Sequence, residues 1–157
     1  MQTAIIVLLV IFVLLVFMYT RAFQIAEVPM KAAPGFKKRF NVYFNSHVSE
    51  TTDNPFLPEM TKPQFNTDAD NLYKVMEKGI KNLGWIIVTA DPAAREIKAI
   101  VQTKLLKFKD DIKVIAEADG NNSKLYAWSS SRIGIGDMGA NQKHIFDLVG
   151  QIKNEID

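Results

Sequence analysis

The sequence predicts an α+β protein: an N-terminal apolar helix, then a two-layer domain with a four-stranded antiparallel sheet, one helix before it and one after. Three observations predict it. Ala4 to Tyr19 is an unbroken apolar run. Four strand-like stretches, separated by short turns, succeed one another between Trp85 and Arg132. Two stretches with apolar residues at helical spacing bracket them.

The apolar run, with Thr3 and Thr20 tolerated at its ends, reads as a short membrane-spanning helix, with Tyr19 and Arg21 at the interface. A cleaved signal peptide is the rival, but no Lys or Arg precedes the run and Thr20-Arg21-Ala22 is a poor cleavage site. Residues 1–21 are therefore expected to be a single-pass transmembrane anchor, with the lipid bilayer as partner through residues 4–19. Arg21, Lys31, Lys37, Lys38 and Arg39 all lie C-terminal to the run. Basic flanks stay inside, which puts the domain in the cytoplasm. The alternative is a periplasmic or other extracytoplasmic domain, because the domain attached to a short anchor can overrule it.

Composition narrows the chemistry. A net charge of +2 is too small to argue for nucleic acid. The absence of cysteine excludes disulfides, thiolate metal sites and a cysteine nucleophile. His47 and His144, the two histidines, cannot make a three-histidine zinc site and read as ordinary surface or loop residues. No metal or cofactor is expected. Lys37-Lys38-Arg39 reads as a solvated flank rather than a lipid-binding cluster, which usually has more charges.

Residues 22–66 form a Pro-rich connecting segment partly packed on the domain, holding Pro29, Pro34, Pro55, Pro58 and Pro63. Phe40, Val42 and Phe44 alternate there with Asn41, Tyr43 and Asn45, which predicts a short strand or extended segment. The domain spans 67–157. Thr67-Asp68-Ala69-Asp70 is a capping box with Thr67 as cap; Leu72, Val75, Met76, Ile80 and Leu83 form the stripe of the helix that Gly84 ends. Strands are predicted at Trp85 to Ala90 and, after an Asp91-Pro92 turn, at Ile97 to Leu105, where Ile97, Ala99, Val101, Thr103 and Leu105 alternate with Lys98, Gln102 and Lys104. A third strand carries Ile112, Val114, Ala116 and Ala118 on one face. Asp119-Gly120-Asn121-Asn122 is a hairpin turn into the fourth, Lys124 to Arg132. The last helix carries Met138, Asn141, Ile145, Leu148, Val149, Ile152 and Ile156 on one stripe.

From Phe108 onward three blocks stand out: Phe108 with Asp110-Asp111, then Ser129-Ser130-Ser131-Arg132-Ile133-Gly134, then Asp137-Met138-Gly139-Ala140-Asn141. In order and spacing they resemble the family known as domain of unknown function 1499, over roughly residues 46 to 155. Two departures matter. The family's early Asn-Cys-Val-Ser-Ser is here Ser46-His47-Val48-Ser49-Glu50, so no role of its cysteine carries over. Gln142, Lys143 and His144 stand where the family often has arginines. The resemblance implies an envelope- or membrane-associated protein and no known activity.

The candidate ligand-binding residues are Asp110, Arg132, Asp137 and Asn141, at the junction of the fourth strand and the last helix. Neighbours in a strand point to opposite faces, so Asp110 and Asp111 cannot share one site easily. Asp110 has the parity of Ile112 and Val114 and, if buried, needs a partner; Arg132 is the candidate. Asp137 is a good N-cap. Gly134, Gly136 and Gly139 beside Arg132 suit an anion, though Asp137 opposes one and the spacing is not that of a phosphate loop. Asn141 is expected to hydrogen-bond the preceding loop. Trp85, Tyr126 and Trp128 could line a pocket, but such aromatics are more often packing.

These observations favour a membrane-anchored module that binds a protein partner or small ligand without catalysis. The alternatives are a hydrolase-type enzyme with Asp110 or Asp137 as base and Arg132 as electrostatic stabiliser, and a structural envelope protein whose motif specifies its fold.

Overall fold

The computed structural model describes residues 2–25, 27–102 and 107–156. Its elements are α1 (Gln2–Ile25), α2 (Phe36–Asn45), β1 (Val48–Glu50), a short 3-10 turn (Pro58–Met60), β2 (Gln64–Phe65), α3 (Ala69–Asn82), β3 (Ile86–Asp91), β4 (Glu96–Gln102), β5 (Lys109–Asp119), β6 (Asn122–Ser131) and α4 (Ala140–Ile156). The class is α+β, but the sheet has six strands where the sequence predicts four. Its order is β1-β6-β5-β4-β3, all antiparallel, with β2 also on β6.

The two extra strands come from the Pro-rich segment and share one margin of β6. Val48 to Glu50 pairs with Ser130 to Trp128, and Gln64 and Phe65 pair with Lys124 and Ser123. Thr51 fills the gap between them. Its N–H donates to the Ala127 carbonyl at 2.8 Å, its hydroxyl donates to the Leu125 carbonyl at 3.0 Å, and its Oγ1 accepts from Ala127 N–H at 2.8 Å. Pro63 offers no donor of its own, yet its carbonyl accepts from Leu125 N–H at 2.9 Å.

The expected extended segment at Phe40 to Asn45 is instead α2. Alternation is present there, but so is an i,i+4 pattern, and burial follows the second: Arg39 and Tyr43 are the buried pair. Phe36, Phe40 and Phe44 stack along the adjoining stripe, with centroids 5.9 and 4.3 Å apart.

The helical stripes and strand parities hold, except that Met138 precedes α4, in the loop after β6 with a φ of 53°. Leu72, Met76 and Ile80 of α3 and Ile145, Leu148 and Ile152 of α4 are buried against Ile97, Ala99, Ile112, Val114, Ala116, Leu125 and Ala127 on one face of the sheet. The hairpin closes with Asp119 opposite Asn122, and Gly120 supplies the positive φ of 64°. The cap of α3 is Asp68, not Thr67: its carboxylate accepts from Asn71 N–H at 2.8 Å. Thr67 and Asp70 do not form a reciprocal box; Asp70 faces Arg95 at 2.6 Å instead. Of the second expected strand, Thr103 and Leu105 lie outside the described residues.

The membrane anchor is overturned. Among the described residues no helix is long and apolar enough to cross a membrane. Sixteen residues from Ala4 to Tyr19 rise about 24 Å, against about 30 Å of hydrocarbon. The single-pass assignment falls with it, as does the sidedness argument from the basic flank. Ile5 to Phe17 of α1 are exposed.

The loop between β6 and α4 meets α2 at Gly136. A Cβ on Gly136 would stand 2.3 Å from the Phe44 carbonyl oxygen, whereas one on Gly150, in mid-α4, would meet nothing within 4 Å. Gly136→Ala is therefore expected to cost about 3 kcal/mol, at the upper end of overpacking penalties. Gly150→Ala should stabilise by up to about 1 kcal/mol through helix propensity. Urea unfolding of both variants checks the contrast.

Candidate functional site

The inward face of β6 runs Ser123, Leu125, Ala127, Ser129, so its apolar run ends in a hydroxyl where α4 begins. Asn141, near the start of α4, is fully buried there. Its Oδ1 accepts from the Ser129 hydroxyl at 2.5 Å. Its amide nitrogen donates to the His47 carbonyl at 2.8 Å, to Ser131 Oγ at 3.0 Å and to Asp137 Oδ2 at 2.5 Å. Asp137 caps the helix, with Oδ1 accepting from Gly139 N–H at 2.8 Å and Oδ2 from Asn141 N–H at 3.2 Å. Its own N–H donates to the Ser46 carbonyl, and that of Met138 to the Tyr43 carbonyl. Strand, helix and the α2–β1 corner are thus tied at one point.

Asp110 joins this group from β5. It is buried, faces Ser131 across the ladder, and its Oδ2 lies 3.0 Å from His144 Nε2. Burial pushes its carboxyl up, but the hydrogen bonds from His144 and Ser131 outweigh this and hold it below the usual carboxylate range. Asp137 goes the other way. Burial raises it, the Gly139 and Asn141 hydrogen bonds only partly offset that, and the nearby Asp110 charge adds to the rise.

Arg132 is not part of the group. The expected Asp110–Arg132 pair is absent; Arg132 holds Asp111 in a bidentate pair, Nε to Oδ2 at 2.8 Å and Nη2 to Oδ1 at 2.6 Å. Both side chains are exposed on the outer face of the sheet. The reason is register. Asp110 opposite Ser131 turns inward, which sends Asp111 and Arg132 outward together. So the structure brings Asp110, Asp137 and Asn141 together and leaves Arg132 on the other side.

A second polar cluster lies alongside, and sequence reasoning misses it. Arg39, part of the flank that reads as solvated, is buried. Its guanidinium grips Glu59 at 2.5 and 2.8 Å and donates to the Ala32 and Ala33 carbonyls. Gln142 donates to Glu59 at 2.9 Å and accepts from the Tyr43 hydroxyl at 2.8 Å. Burial pushes the Glu59 carboxyl up, but the Arg39 and Gln142 hydrogen bonds and a backbone hydrogen bond leave it below its ordinary value.

Asp110, Arg132, Asp137 and Asn141 stay out of the linings of the principal surface clefts among the described residues. His144 does line one. It sits at 78° to Trp85 with centroids 5.8 Å apart, between a small packing gap beneath the sheet and a cleft of about 520 Å³. Leu83, Trp85, Ile86, Val101, Gln102, His144 and Asp147 line that cleft. The sequence presents His144 as ordinary surface; its place three residues beyond Asn141, beside the buried stripe, is the signal that could have found it. Among the described residues no group of three or more His, Asp or Glu side chains is placed to hold a metal ion.

These features define a small antiparallel α+β module with a buried polar lock at the β6–α4 junction. Its sequence identifies it further: residues 36–152 match the model of the family described as Protein of unknown function (DUF1499), and the chain belongs to that family. No curated protein matches it. Among solved structures it is similar to the crystal structure of the di-domain ARO/CYC BexL from the BE-7585A biosynthetic pathway, at 14% identity and a TM-score of 0.39. The match covers 69% of this chain and 43% of that one, so this chain spans less than half of its length.

The two clusters make separate demands on stability. Asn141→Ala leaves the buried Ser129 hydroxyl without its partner and takes one hydrogen bond from the Asp137 carboxylate, and is expected to cost about 3 kcal/mol. Arg132→Ala should leave the unfolding midpoint unchanged, which denaturant titration of the pair will show. Glu59→Gln breaks a buried ion pair and should cost about 3 kcal/mol at neutral pH. Because the folded-state pKa of Glu59 lies below 4.5, its contribution is complete above that pH and fades as pH falls through the folded value. The difference between wild type and variant should therefore shrink in acid. A gap that stays constant down to about pH 2 would contradict the assignment.

Proposed function

We propose that this protein is a non-catalytic binding module that takes a small ligand in the cleft between the end of α3 and α4, and that the family's sequence blocks act as its structural lock. The observation that carries this is His144. Its ring is tied to buried Asp110 on one side and forms a wall of the cleft on the other. The cleft's volume falls within the range of small-molecule sites, and its lining mixes apolar and aromatic side chains with polar groups in about equal measure.

The hydrolase reading gains no support. Asp110 and Asp137 are committed to hydrogen bonds inside the lock, and Arg132 lies on the opposite face of the sheet. Ser131, Asp110 and His144 are in contact, but with the carboxylate in the middle. Activation of a serine needs the imidazole between hydroxyl and carboxylate.

The test is a screen of small aromatic molecules (neutral, anionic and cationic) against the ¹⁵N-labelled full chain by amide shift perturbation. Shifts are expected to cluster at Gly84, Trp85, Ile86, Gln102 and His144. If every binder maps elsewhere, or none binds, the reading fails.

A further inference from the structure

Resting on that reading, we propose that the cleft selects an uncharged aromatic molecule carrying a hydroxyl, held with its ring against Trp85 and its hydroxyl donating to Nδ1 of His144. Every buried side-chain nitrogen or oxygen has a hydrogen-bond partner among the described residues. His144 Nε2 has Asp110, while Nδ1 has no partner among the described residues, so Nδ1 is open to solvent. The ring borders two spaces. One is a packing gap with no room for a water molecule, so we assign the open nitrogen to the other, the cleft.

The direction of the hydrogen bond comes from Asp110. An ionised carboxylate only accepts, so Nε2 carries a proton, and in the neutral form of the ring Nδ1 presents a lone pair. Hydrogen-bond donors around the buried Asp110 keep it ionised and keep that tautomer in place. The ligand must therefore bring the donor. A hydroxyl does so.

The rest of the lining sets the ligand's body and charge. Leu83, Trp85, Ile86 and Val101 offer apolar surface, and Trp85 gives an aromatic ring a partner. Asp147 is the carboxylate in the wall; it is paired with Lys143 at 2.6 Å. Asp110 lies directly behind the imidazole. Two acceptor carboxylates against one already paired ammonium disfavour an anionic ligand.

Matched probes test this: 4-propylphenol, its methyl ether 4-propylanisole, and 4-propylbenzoate. They are titrated against the full chain carrying Trp128→Phe, so that Trp85 is the sole tryptophan and its emission reports the cleft. The phenol is expected to bind three- to tenfold more tightly than the ether, the fold-change of about one neutral hydrogen bond, and more tightly than the benzoate. His144→Phe should abolish the difference between phenol and ether while Trp85 still responds to both. Equal binding of phenol and ether, or preference for the benzoate, overturns the hydroxyl assignment and leaves the cleft as a binding site. No response to any probe, together with no amide shifts at Gly84 to Ile86, sinks both readings.

Discussion

The fold hangs on one buried primary amide. Asn141 satisfies its oxygen and nitrogen with groups from β6, the chain just before β1, and the turn that starts its own helix. An asparagine suits this position because it offers acceptor and donors in one rigid plane with no charge to desolvate. An aspartate there would set a second negative charge against Asp137. A leucine would fill the space and orphan the serine hydroxyl. Around this amide the apolar core of β4–β6, α3 and α4 is fixed in register, since a slip of one residue would bring Trp128 or Ser130 inward instead of Ser129.

Much of the architecture is legible where local pattern and burial agree. The stripes of α3 and α4, the alternation of β4 to β6 and the Asp-Gly-Asn-Asn hairpin all carry their information within a few residues. The illegible parts depend on residues far away in the chain. β1 and β2, three and two residues long, exist because β6 offers them a ladder. No window that short signals a strand. α2 is masked because its aromatic residues at even positions satisfy both a period of two and an i,i+4 spacing. Arg39 looks solvated because its partners, Glu59 and the 32–33 carbonyls, are brought to it by the path of the Pro-rich segment.

The candidate site divides in the same way. Asp137 as cap and Asn141 as a bond to the preceding loop are readable from position alone. The Asp110–Arg132 pairing is an avoidable error. Counting back from the hairpin pair Asp119–Asn122 sets Asp110 opposite Ser131, and alternation then assigns Arg132 to Asp111. The same parity rule that turns Asp110 inward turns Arg132 outward. His144 cannot be ranked from sequence, because its chemistry depends on which strand residue ends up behind it.

The outer margins of the sheet differ in a way that bears on self-association. On the β6 side the last pairing positions are broken into β1, Thr51 and β2, each too short to template a further strand. On the other side β3 is a six-residue strand with Ile86 and Val88 exposed, bent by a bulge between Ile87 and Thr89. Edge-to-edge fibrils need two open margins, so the Pro-rich segment, by splitting its own, leaves this sheet unable to serve as a repeating unit.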